Sequence, residues 1–141
     1  MFEIVHTITE FWDRPRAGIA NLAGTPHLYQ AEWDAELDDY SETFVLMPIE
    51  PETLALALED WAVWQRWEDA FHRGETDRDS HPALPSDRER HEELKSLLAS
   101  RLQADPGSSV RKRGEFRVRA DAAQRPRGAL RDLEVRWYDP V

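Results

Sequence analysis

Hydrophobic and polar positions alternate from Phe2 to Trp12, with Phe2, Ile4, His6 and Ile8 on one side and Glu3, Val5, Thr7 and Thr9 on the other. This period of two, rich in β-branched residues, predicts a half-buried strand. Asp13-Arg14-Pro15-Arg16 breaks the pattern. Ala17 to Leu22 and His27 to Trp33 then read as a hairpin, with Gly24 in the turn and Pro26 opening the return strand. Glu32 to Glu42 holds six acids in eleven residues with Trp33, Leu37 and Tyr40 interleaved, and reads as a solvated acidic loop. Thr43 to Ile49 is a short apolar run of buried-strand length.

The period then lengthens. Glu50-Pro51-Glu52-Thr53 is a helix entrance, because proline in the first turn forfeits no hydrogen bond and acids face the positive end of the dipole. Gly74 closes this helix. At roughly 100° per residue, Leu54, Ala57, Leu58, Trp61, Trp64 and Phe71 fall on one broad face, which predicts burial. Trp67 falls on the flank and is expected to be partly exposed. Gly74 to Pro85 reads as a loop, and a second, amphipathic helix is expected from Ser86, with Glu89 completing a capping box and His91, Leu94, Leu97, Leu98 and Leu102 forming its stripe. A loop over about 104–110 ends it. Val110 to Ala120 and Leu130 to Tyr138 alternate again and predict two strands, joined by a loop from Asp121 to Gly128. The expected fold is α+β: a mostly antiparallel sheet of about five strands, with a central Trp-rich helix and the amphipathic helix packed on one face.

Length and composition narrow this picture. A chain of 141 residues fits one domain over 1–141, and six tryptophans argue against disorder. With no cysteine, disulfides, thiolate metal sites and a cysteine nucleophile are excluded. No apolar stretch reaches membrane-spanning length and the start lacks a signal-peptide pattern, so the cytoplasm is the expected compartment. The net charge is −10, yet residues 110–141 hold nine basic against five acidic residues. Either basic strands neutralise acidic neighbours, or the surface is bipolar and its acidic part recruits a basic protein. Repulsion from phosphate disfavours nucleic acid.

Candidate chemistry is sparse. The five histidines include no pair at the i, i+4 spacing of a metal motif, and no phosphate loop, dinucleotide fingerprint or nucleophile elbow is present. No metal or cofactor is expected, and the reading leans away from an enzyme. Glu68 falls among the aromatics of the first helix; a carboxylate there either pairs with an arginine or lines a pocket as a base of raised pKa. Arg14 and Arg16, flanking Pro15, have the donor geometry to clamp an anion, with His27 or Glu68 moving a proton, or they are turn residues paired with local acids. Trp33, Asp34, Glu36, Asp38, Asp39 and Tyr40 combine acids with aromatics, the composition of a protein-docking edge.

Arg14-Pro15-Arg16-Ala17-Gly18, Gly24-Thr25-Pro26-His27, the helix motif Leu58-Glu59-Asp60-Trp61 through His72, and His81-Pro82-Ala83-Leu84-Pro85 together resemble a group of small uncharacterised bacterial proteins with no established activity. The resemblance spans nearly the whole chain. It implies bacterial origin and a single domain, and assigns no functional residue. Two readings stand: an acidic adaptor, regulator or immunity-type binding protein, or a small-molecule or anion-binding protein with a pocket between the first hairpin and the Trp-rich helix.

Overall fold

The computed structural model describes residues 1–122 and 131–140. It resolves into two compact units, one formed by Met1–Glu50 with Ala104–Val141 and one by Pro51–Gln103.

The first unit is a closed barrel of six antiparallel strands in sequence order: β1 (Glu3–Trp12), β2 (Arg14–Leu22), β3 (Thr25–Asp34), β4 (Asp39–Pro48), β5 (Val110–Val118) and β6 (Leu133–Tyr138). This corrects the expected open sheet of about five strands. Closure comes from β1 pairing with β6 through Glu3↔Val135 and Ile4↔Glu134, so the first and last strands shield each other's edges. The acidic stretch is also not a loop. Strand β3 runs on to Asp34 and β4 starts at Asp39, because Trp33 and Tyr40 pair across the strands with rings edge to face at 5.3 Å. A cross-strand aromatic pair of this kind outweighs the weak strand propensity of the acids around it. Likewise Arg14-Pro15-Arg16 belongs to β2 rather than to a break: Asp13, at φ 60°, turns the chain alone, and Pro15 pairs with Phe11.

Inside, Val5, Ala20, Tyr29, Ala31, Phe44, Leu46, Leu133 and Val135 form the buried core. Tyr29 is its hub, in ring contact with Phe44, Phe116 and Trp137 at 5.9, 5.7 and 6.2 Å. Its hydroxyl donates to the carbonyl of Thr7 at 3.0 Å, so the one polar atom on the ring is satisfied. Burial pushes this hydroxyl's pKa far up.

The second unit contains α1 (Pro51–His72) and α2 (Arg88–Ala99). Gly74, at φ 75°, ends α1: its N–H donates to Phe71 and that of Glu75 to Ala70, the paired bonds of a Schellman cap. The buried face of α1 is turned from the expected one. Trp67, expected on the flank, is 7% exposed, whereas Leu58 is 39% exposed and Trp61 and Trp64 are half-buried. The difference has a local cause. Trp67 stacks on Phe71 at 5.1 Å, meets His81 edge-on and donates its indole N–H to Ser80 Oγ at 2.8 Å, so the segment after α1 folds over it. That segment forms short 3₁₀ turns at Arg78–Ser80 and Pro85–Asp87. The second turn delays α2 to Arg88, and the Ser86–Glu89 capping box gives way to Asp87, whose carboxylate takes a two-pronged bond from Arg66 at 2.9 and 3.0 Å. Arg90 with Glu59, and His91 with Asp60, add further links between α1 and α2. Leu94 and Leu98 are buried and Leu97 is exposed. No helix among the described residues is long and apolar enough to cross a membrane. The expected loop from Asp121 to Gly128 and the expected strand start at Leu130 fall partly or wholly outside the described residues.

Candidate functional site

Barrel strands alternate their side chains between interior and exterior, so chemistry that faces solvent gathers at the ends, where turns join neighbouring strands. One end carries the β1–β2 turn at Asp13 and the β3–β4 turn between Asp34 and Asp39. Both turns are built for exposure. Asp34 Oδ1 accepts the backbone N–H groups of Glu36 and Leu37 at 3.0 and 3.3 Å, an Asx turn, and Asp38 takes the left-handed conformation at φ 51°. Asp39 accepts the N–H of Tyr40 at 2.7 Å. Asp34 and Asp39 therefore shape the hairpin, and Glu36 and Asp38 project from it without a bonded partner among the described residues.

Side chains from both hairpins lock this end together. Tyr40 donates its hydroxyl to Glu10 of β1, and the Arg16 guanidinium lies 4.8 Å from the centre of the Tyr40 ring. Arg16 is 2% exposed; its Nε donates to the carbonyl of Trp12 at 3.1 Å and its Nη2 to Asp13 at 2.7 Å. Of the two readings of Arg16, the geometry matches the turn residue paired with a local acid. The Glu10 bond holds the Tyr40 hydroxyl above its ordinary pKa.

Around this lock the surface is apolar and acidic at once. Phe11, Trp12, Trp33 and Leu37 are 44, 68, 56 and 70% exposed, and of the bulky apolar side chains among the described residues only Met1 is more exposed than Trp12 and Leu37. Glu10, Asp13, Glu36, Asp38, Asp39 and Glu42 are exposed between and beside them. Large apolar groups left in water at one place mark contact surfaces more often than scattered ones do. Trp33, Asp34, Glu36, Asp38, Asp39 and Tyr40 thus come together with a second set that the sequence reading left out: Glu10, Phe11, Trp12 and Asp13. The available signal was the Phe11-Trp12 pair, since two adjacent bulky residues in an alternating strand cannot both face inward.

Within the barrel, Arg16 and His27 do not share one point. His27 pairs with Ala20, which lies four residues along β2 from Arg16, roughly 13 Å at about 3.3 Å per residue. The His27 ring bonds through Nδ1 to the carbonyl of Thr25 at 2.7 Å, beside the β2–β3 turn at the other end of the barrel. Glu68 belongs to the helical unit, where it is 4% exposed and is not without a partner. Arg14 stands 3.9 Å from Asp13, at the edge of ion-pair distance. Among the described residues no cluster of three or more His, Asp or Glu side chains is placed to hold a metal ion. No family model matches the chain, and no curated protein or solved structure matches it either.

Proposed function

We propose that the protein is a small acidic binding protein of the bacterial cytoplasm, an adaptor, regulator or immunity-type inhibitor, which docks a basic protein on the acid-and-aromatic end of its barrel. The observation that carries this reading is the joint exposure of Phe11, Trp12, Trp33 and Leu37 amid acids at that end. Aromatic anchors supply the contact energy of interfaces, and charges of one sign supply steering and selection of the partner. Lysine or arginine of the partner gains twice here, from the carboxylates and from the faces of Trp12 and Trp33.

The test is affinity capture from bacterial lysate with the native protein and with a Glu36→Gln, Asp38→Asn, Asp39→Asn variant. Asp34 is spared because its carboxylate builds the turn. A stoichiometric basic protein held by the native chain, released as salt is raised and absent from the variant, is the expected result. Equal capture by both proteins refutes the reading.

A further inference from the structure

A cleft of about 290 Å³ opens in the barrel wall where β4 and β5 part. Their ladder ends at Thr43↔Arg113, although β4 begins at Asp39 and β5 continues to Val118. Arg14, Glu42, Arg113 and Glu115 line the cleft with charge, and Phe116 and Tyr138 give it ring surface. The volume sits at the small end of ligand pockets and suits a molecule of amino-acid size.

The charges in this cleft differ from those on the rest of the barrel. Elsewhere Arg16, Arg111, Arg117, Arg119 and Arg136 each have a carboxylate partner within 3.4 Å. Among the described residues the nearest carboxylate to Arg14 is that of Asp13, at 3.9 Å and with its Oδ1 already accepting from Arg16, and Arg113 donates to the carbonyl of Asp139 at 3.2 Å and to no carboxylate. Both guanidinium groups keep free donors. Glu42 is exposed and has no hydrogen bond or ion pair among the described residues. Glu115, in contrast, is occupied: it accepts from the Tyr138 hydroxyl at 2.7 Å and from Arg136 at 3.4 Å, which fixes the Tyr138 ring as a wall.

We infer that the cleft binds a small zwitterion, an α-amino acid with a flat apolar side chain, through a carboxylate on Arg14 and Arg113, an ammonium on Glu42 and ring contact with Tyr138 and Phe116. Two guanidinium groups with donors to spare, and one carboxylate without a hydrogen bond or ion pair among the described residues, beside aromatic surface match both ends of such a molecule and its side chain. The net charge of −10 selects further. It repels anions at a distance, so a purely anionic ligand is held off while a molecule of no net charge is not. The cleft adjoins the docking end through Glu42 and through Arg14 beside Asp13, but binding there does not depend on the reading given for that end: amino-acid titration tests the one and protein capture the other.

Calorimetric titration with L-phenylalanine, L-tyrosine and L-tryptophan tests the inference, together with L-phenylalaninamide, which lacks the carboxylate, and N-acetyl-L-phenylalanine, which lacks the ammonium. At least one free amino acid should bind saturably at one site, and each blocked derivative of phenylalanine should bind about tenfold or more weakly than phenylalanine itself, the loss expected for one charge-assisted bond. Arg14→Ala should remove binding while leaving the ligand-free melting temperature unchanged. Glu42→Gln should erase the preference for phenylalanine over its N-acetyl derivative. Absence of saturable binding by all three amino acids, equal binding of the derivatives, or native affinity in Arg14→Ala overturns it.

Discussion

Gly18→Ala places the barrel's interior under a strain that can be worked out atom by atom. Gly18 lies on β2 opposite Tyr29 of β3 and Ile8 of β1. A Cβ added there would stand 2.1 Å from the Thr7 carbonyl oxygen and 2.7 Å from the Tyr29 hydroxyl. Both distances are far inside van der Waals contact, and the closer atom is backbone, which cannot rotate away. Pushing β1 and β2 apart costs about 1–3 kcal/mol as overpacking. The same movement pulls the Tyr29 hydroxyl from the Thr7 carbonyl, a buried bond whose loss adds about 1–3 kcal/mol. Against a total stability of order 5–15 kcal/mol the sum is large, and at about 4 °C per kcal/mol it lowers the melting temperature by about 10–20 °C. Circular dichroism during heating, with a urea midpoint as a second measure, reads this directly. Tyr29→Phe removes the 2.7 Å contact and leaves the 2.1 Å one, so the double variant should recover little of the loss. A Gly18→Ala protein melting within about 3 °C of native, or full recovery in the double variant, refutes the close approach of β1 and β2.

Three further outcomes follow from the packing and the charges. All three tyrosines have raised pKa values, Tyr29 from burial, and Tyr40 and Tyr138 chiefly from their bonds to Glu10 and Glu115. The neutral form is favoured by the fold, so its contribution is complete below the ordinary value of about 10 and is lost above it; phenolate absorbance should emerge above that pH and rise with unfolding, and a tyrosine titrating at its ordinary value contradicts this. Arg90, Arg66 and Lys112 hold Glu59, Asp87 and Asp139 below their usual range, so the stability they give is present above about pH 4 and declines as pH falls through the lowered values. A urea midpoint that drops between pH 7 and 5, or stays flat into strong acid, fails this. Trp67→Ala should cost about 3–5 kcal/mol and exceed Trp61→Ala, because Trp67 is 7% exposed and hydrogen-bonded while Trp61 is half-buried; the reverse order in denaturant melts contradicts the observed face of α1.

Local signals were legible and long-range ones were not. The period of two marks β1 and β5, and Pro51 and Gly74 bound α1, because alternation and terminal conformation are written within a few residues. Barrel closure rests on Glu3 meeting Val135, a register between opposite ends of the chain that no local pattern encodes. Trp67 shows the same limit on a smaller scale: helical spacing sets which residues share a face, but the fold of residues after Gly74 decides which face is covered. The acidic stretch misled for a different reason. Its composition is that of a loop, while the Trp33–Tyr40 pair across two strands makes it a hairpin. Arg14 and Arg16 look equivalent around Pro15, and strict alternation would put both on one face; the β1–β2 ladder is irregular here, and Arg16 is buried against Tyr40 while Arg14 lies 41% exposed at the cleft.

The most direct measurement of the docking account is the set of indole ¹⁵N–¹H signals of the six tryptophans, followed while the captured basic protein is titrated in. Trp12 and Trp33 should shift or broaden together at low salt and return as salt is raised, while the buried Trp67 stays in place. Shifts confined to Trp61, Trp64 or Trp137, or saturating binding that leaves Trp12 and Trp33 unmoved, contradict it.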